Sequence, residues 1–116
     1  MIEQTVADLY ERAVRLGGDR TALTQGDRSM SYRQLGEDAA RLANAFAALG
    51  LGSGHRVALL MANCIEYVAC EYAVTRIGAV RVPLAVRLAN PHHVYMMNFA
   101  RCTTLVYHEK LAARVL

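Results

Sequence analysis

Tryptophan is absent from the 116-residue sequence, and proline and phenylalanine occur only twice each. No internal repeat, linker or low-complexity tract interrupts it, so the chain is read as one domain at most. A basic run is also missing. Lys and Arg are scattered, the net charge is only +3, and no nucleic-acid module signature accompanies them, so no nucleic-acid partner is expected. Charges break every apolar stretch before it is long enough to cross a bilayer, which leaves no transmembrane segment. The amino terminus carries acidic residues and a helix pattern where a secretory leader has a basic head and an apolar run, so a cytoplasmic protein is expected. Cys64, Cys70 and Cys102 are odd in number and lie in apolar surroundings, which suits reduced core thiols better than a disulfide framework.

Apolar residues, by contrast, make up 54% of the chain, and the mean hydropathy is positive. That is greasier than a free-standing soluble domain usually is, and implies surfaces that something else covers. The organising stretch runs from Arg56 to Pro83. Val57 to Met61 is an unbroken apolar run of strand length, which must be covered on both faces as strands of parallel sheets are. Asn63 follows as the expected N-cap of a helix from Cys64 to Ile77. The polar residues of that helix, Glu66, Glu71, Thr75 and Arg76, scatter around the wheel, so it should lie largely buried. Gly78 is placed to end it in the left-handed conformation. Ala79 to Val82 then forms a second strand, expected to stop at Pro83, which cannot donate to a ladder. Strand, helix and strand make a βαβ unit.

Around this unit the pattern supplies further elements. Thr5 caps a first helix with Val6, Leu9, Ala13 and Leu16 along one stripe, and Gly17-Gly18 stops it. Thr21 to Gln25 and Arg28 to Ser31 flank the turn Gly26-Asp27 as a hairpin. Ser31 and Gln34 fit a capping box, opening a helix with Leu35, Ala39, Leu42, Phe46 and Leu49 on its apolar face. Leu84 to Ala89 reads as a loop with one lone charge, Arg87. Asn90 is then an expected N-cap, with Pro91 in the first helical position and Val94, Met97 and Ala100 on the helix that follows. Thr104 to Tyr107 is a last strand, and from Lys110 the sequence turns helical up to Leu116. That helix has no capping residue, glycine or proline to stop it, so the chain is expected to continue in a longer protein.

Candidate chemistry is sparse. Gly50, Gly52 and Gly54 resemble a dinucleotide loop in composition, but that fingerprint follows a strand and opens a helix, whereas these close a helix and lead into a strand. They are read as a C-cap and turn. His55, His92, His93 and His108 show no metal-ligand spacing. No Ser/His/Asp or Cys/His constellation is legible, and the cysteines and Met96-Met97 fit core filling. No catalytic residue and no metal ligand is assigned.

The order of the motifs is more informative than any one of them. Ser31-Tyr32 with Leu35, then Gly50, Gly54, Arg56, Val57 and Ala58, then Asn63 and Glu66, then Gly78, Ala79, Val80, Pro83 and Leu84, then Arg87 and Leu88, resembles the N-terminal segment of the adenylate-forming (AMP-binding) acyl-CoA synthetases and ligases. The resemblance covers nearly the whole chain. It implies an α/β fold in which residues 1–116 open the large domain: the first part of a doubly wound sheet with flanking helices, preceded by a helix and a β-hairpin. It also implies a two-step reaction. ATP activates a fatty or aromatic carboxylic acid to an acyl-adenylate, and the acyl group passes to the thiol of CoA, with Mg²⁺ required.

The phosphate loop, the adenosine segment and the C-terminal catalytic lysine of that family are not among these residues. The segment alone is therefore expected to be scaffold, inactive and without cofactor, with the remainder of its own chain as partner. In some CoA ligases of the family an arginine in the matching loop meets the nucleotide phosphate of CoA. Arg87 holds that position here, and Arg87, His92, His93 and the amides after Asn90 are the candidate anion site. Departures from the family pattern are His55 for an aspartate, Ala85 for an asparagine, and His92 and His93 for acidic residues. The alternative is a stand-alone, non-catalytic binding or oligomerising module derived from the same fold. An isolated, truncated sheet is expected to self-associate through its unpaired edges.

Overall fold

The computed structural model describes residues 5–116. In chain order these form α1 (Val6–Gly17), the strands β1 (Thr21–Gln25) and β2 (Arg28–Ser31), α2 (Tyr32–Ala48), β3 (Arg56–Leu60), α3 (Ile65–Arg76), β4 (Val80–Leu84), α4 (Asn90–Phe99), β5 (Thr104–Tyr107), a 3₁₀ turn (Glu109–Leu111) and α5 (Ala112–Val115). β1 and β2 pair antiparallel as the expected hairpin. The other strands form a parallel sheet in the order β4-β3-β5.

β3 owes its central place to its uninterrupted apolar run. On one face Val57 and Leu59 pack with Phe46 of α2 and Cys70 and Val74 of α3. On the other, Ala58 and Leu60 meet Leu84, Met96 and Leu105. Each fully buried side chain of this size contributes about 1.5–3 kcal/mol relative to exposure. α3 is covered on several sides, with Ile65, Ala69, Cys70, Tyr72, Ala73 and Val74 buried. Gly78 has φ 78°, the left-handed conformation expected of it. The capping boxes Thr5/Asp8 and Ser31/Gln34 are both formed.

Several local expectations are corrected. The N-cap of α3 is Cys64, one residue after Asn63, and its side chain makes no capping bond. The first helical amide, that of Ile65, instead donates to Gln25 Oε1 at 3.1 Å, because the hairpin tip docks on the start of the helix. Pro83 does not halt β4 but lies inside it, opposite Leu59. The amide of Val80 donates inward to His55 O. By the two-residue alternation of a strand, position 83 then turns its nitrogen to the open edge, where a missing donor costs the β3 ladder nothing.

The stripe expected to bury α1 faces outward: Val6, Leu9 and Leu16 are 46%, 53% and 60% exposed. Tyr10 and Val14 turn inward instead. The Tyr10 ring stacks on Tyr72 with centroids 4.6 Å apart, and its hydroxyl donates to Glu71 Oε1 at 3.0 Å. Glu71 is also paired with Arg81 of β4. An aromatic anchor with a polar tip thus outweighs a stripe of smaller aliphatic residues in setting the rotation of α1. Gly17 and Gly36 permit the close approach of α1 and α2, since a Cβ on Gly17 would enter the Tyr32 ring and one on Gly36 would press on Val14. Leu49 and Val94, expected on buried faces, are likewise exposed. α4 buries His93 and packs Met96 and Met97 inward.

Candidate functional site

In parallel α/β sheets, ligands bind beyond the carboxyl ends of the strands. Here the ends of β3 and β4 open into a cleft of about 610 Å³, with Met61, Asn63 and Tyr67 on one side and Pro83, Val86 and Arg87 on the other. The buried βαβ core fixes both walls: β3 leads directly into Met61, and β4 into the loop 85–89.

The loop sets out the candidate anion residues unevenly. Arg87 is exposed, and among the described residues no carboxylate lies within ion-pair distance of it. His92 is also exposed, on the first turn of α4. His93 is buried, with Nε2 2.6 Å from Ala85 O. A carbonyl only accepts, so Nε2 carries the proton, and the ring serves the loop rather than the surface. The amides of His92 and His93 both donate to Ala89 O, at 3.0 and 3.4 Å, and Pro91 has none to offer. Arg87 and His92 therefore stand at the surface, and His93 does not join them there.

Asn90 was the expected N-cap of α4, but that position belongs to Ala89. The Asn90 amide faces the carboxyl-terminal segment, where its Nδ2 donates to Arg114 O at 2.9 Å and its Oδ1 accepts from Arg114 Nη2 at 3.0 Å. Nothing local in the sequence points to this pairing of residues 24 positions apart. Gln25 at the start of α3 and the Tyr10–Glu71–Arg81 group were missed for the same reason. His55, which departs from the family aspartate, accepts the Gly52 amide on Nδ1 at 3.0 Å, a bond that a carboxylate oxygen can equally accept.

Burial governs the titration of the groups nearby. The Tyr67 phenol is held above its ordinary range chiefly by desolvation and secondarily by the Glu71 carboxylate, so it remains a neutral donor at physiological pH. The Cys64 thiol is also raised, again mainly by desolvation, which makes it a poor nucleophile at neutral pH. Among the described residues no group of three or more His, Cys, Asp or Glu side chains is arranged to hold a metal ion. No described helix is long and apolar enough to cross a membrane.

Residues 10–116 match the family described as AMP-binding enzyme. The chain belongs to that family. A crotonobetaine/carnitine–CoA ligase of Salmonella paratyphi A is 32% identical over 108 residues, covering 89% of this chain and 21% of that protein. The chain thus spans about a fifth of the length of the curated relatives it matches. Among solved structures, the anthranilate CoA ligase AuaEII in complex with anthranoyl-AMP superposes with a TM-score of 0.91 at 27% identity, covering 99% of this chain and 22% of that one. A Mycobacterium tuberculosis fatty acyl CoA synthetase superposes with a TM-score of 0.88 at 28% identity, covering 96% and 22% respectively. The chain is homologous to the N-terminal part of these AMP-binding, adenylate-forming enzymes. The parallel sheet, flanking helices, leading helix and hairpin expected from the motif order are all present.

Proposed function

We propose that these residues open the large domain of an AMP-forming ligase that activates a carboxylic acid with ATP and passes the acyl group to CoA, and that Arg87 binds a phosphate of CoA. The observation that carries the reading is the unpaired, exposed Arg87 at the mouth of the cleft beyond β3 and β4. A free guanidinium fits a phosphate in charge and in its forked donor geometry. His92, exposed one helical turn or less from the loop, adds a second donor. His93 holds the loop. The neutral Tyr67 hydroxyl on the facing wall is a further donor that adds no competing charge.

When bound, ATP would supply the adenylyl group that activates the carboxylate, with pyrophosphate as the leaving group, and Mg²⁺ would neutralise the phosphate charge. The described residues hold neither a metal-ligand cluster nor a phosphate loop with its lysine. Their role is to position the cleft, and they are inactive alone. Fatty and aromatic carboxylic acids are the expected substrates, and both classes appear in the names of the structural relatives.

The test is Arg87→Ala in the complete chain. Acid-dependent ATP–pyrophosphate exchange should be preserved while the KM for CoA rises roughly tenfold or more, the scale of a lost charged hydrogen bond of about 1.5–3 kcal/mol. Unchanged CoA dependence with unchanged exchange would remove Arg87 from the site.

A further inference from the structure

The loop that carries Arg87 has almost no regular structure, yet its carbonyls are nearly all engaged. Ala85 O accepts from His93 Nε2 at 2.6 Å and from the Leu88 amide at 3.1 Å. Val86 O accepts from Arg114 Nη1 at 2.7 Å, and Leu88 O from Arg114 Nη2 at 2.8 Å. Ala89 O takes the two amides of the first turn of α4. Arg114 also reaches Asn90 Oδ1 through Nε at 3.3 Å, and Asn90 Nδ2 returns a bond to Arg114 O. One guanidinium therefore spans three acceptors on either side of Arg87, a fork that a lysine ammonium cannot reproduce. All of those acceptors are uncharged amide or carbonyl oxygens.

We infer that Arg114 is a positioning residue: by bridging Val86, Leu88 and Asn90 it fixes the loop from the side while His93 fixes it from beneath, so that Arg87 is presented to the cleft already ordered. The inference rests on the phosphate-binding reading of Arg87 and deepens it. An ordered cation avoids the loss of freedom that a mobile loop would incur on binding, and the benefit appears as affinity for the anion. Arg114 does not touch that anion itself. Its effect should follow the phosphate of CoA and leave acid activation alone.

The experiment compares Arg114→Met, Arg114→Lys, Arg87→Ala and the Arg87→Ala/Arg114→Met pair in the complete chain. The readouts are pyrophosphate exchange, the KM for CoA and for CoA lacking its nucleotide 3′-phosphate, and hydrogen exchange over residues 85–92. Both Arg114 variants should raise the KM for CoA roughly tenfold, by analogy with the loss of about 10–100-fold when groups that orient metal ligands are removed. They should also narrow the preference for CoA over its dephosphorylated form, speed amide exchange at Leu88, and leave pyrophosphate exchange unchanged. In the double variant the Arg114 substitution should add nothing to the loss caused by Arg87→Ala. If Arg87→Ala weakens CoA binding and neither Arg114 variant does, or if Leu88 exchange is unaltered, the positioning role is overturned and the Arg87 reading stands. If Arg87→Ala is itself without effect on CoA, both fall. Arg114→Lys keeps the charge and most of the stem, so it serves where the methionine variant does not fold.

Discussion

Gln25 and Ile65 are joined by a hydrogen bond of 3.1 Å from the Ile65 amide to the Gln25 side-chain oxygen, across a sequence separation of 40. The bond places the tip of the hairpin on the start of the helix that follows β3. Arg28, from the same hairpin, pairs with Glu66 one residue further along at 2.6 Å. A helix start that would otherwise leave its first amide open is thereby closed from outside its own local sequence.

Gln25→Ala should cost about 1 kcal/mol of stability, the net worth of a typical intramolecular hydrogen bond. Asn63→Ala should be close to neutral, because the N-cap belongs to Cys64. Urea denaturation of the two variants side by side checks the assignment. A larger loss for Asn63→Ala would return the cap to that residue.

Alkaline pH should loosen the seating of α1. Burial first, and then the Glu71 carboxylate that accepts its hydrogen bond, push the Tyr10 phenol from 10.0 up to about 12, with Arg81 opposing the shift. The folded state therefore holds a proton that the unfolded chain releases. Tyr10's contribution is complete below about pH 10 and is lost as pH rises towards about 12. Stability measured over that interval should fall more steeply for the native sequence than for Tyr10→Phe. Parallel slopes would show that Tyr10 is not the group responsible.

Cys70 should resist alkylation. Desolvation raises its thiol from 9.0 to about 11 and its side chain is buried, whereas Cys64 and Cys102, whose thiols are also raised by desolvation, are only partly buried and so open to the reagent. Since the thiolate is the reacting form, iodoacetamide mapped by mass spectrometry at mildly alkaline pH should label Cys64 and Cys102 before Cys70. All three should react alike in denaturant. Early labelling of Cys70 would contradict its burial between α3 and the sheet.

Gly17→Ala is expected to destabilise the protein by about 1–3 kcal/mol, in the range of overpacking, although alanine is the better helix former by nearly 1 kcal/mol. The added methyl would meet the Tyr32 ring. Thermal or urea unfolding should show the loss, and Tyr32→Ala in the same chain should recover part of it. A stabilised Gly17→Ala would mean that α1 and α2 are less closely set than their glycines imply.

The elements themselves were legible where one local rule decided them. The apolar run at Val57–Met61, the Gly26-Asp27 turn, the Ser31/Gln34 box and the left-handed Gly78 each needed only nearby residues. Rotations of helices and caps supplied from afar were not. The stripe Val6, Leu9 and Leu16 satisfies helical spacing as well as the inward face does, and only the Tyr10–Tyr72 stack decides between them. At the candidate site Arg87 could be found by its isolation in an apolar loop and its motif position. Arg114 and the inward turn of His93 depend on contacts that no spacing encodes.

Pro83 gives the sheet a direction of growth. With its nitrogen on the outer side of β4, a strand arriving there finds a gap in the row of donors. β5 presents Thr104 to Tyr107 without such a gap. A further strand is therefore favoured beside β5 over the flank at Pro83, which lies by the cleft that Pro83 helps to line.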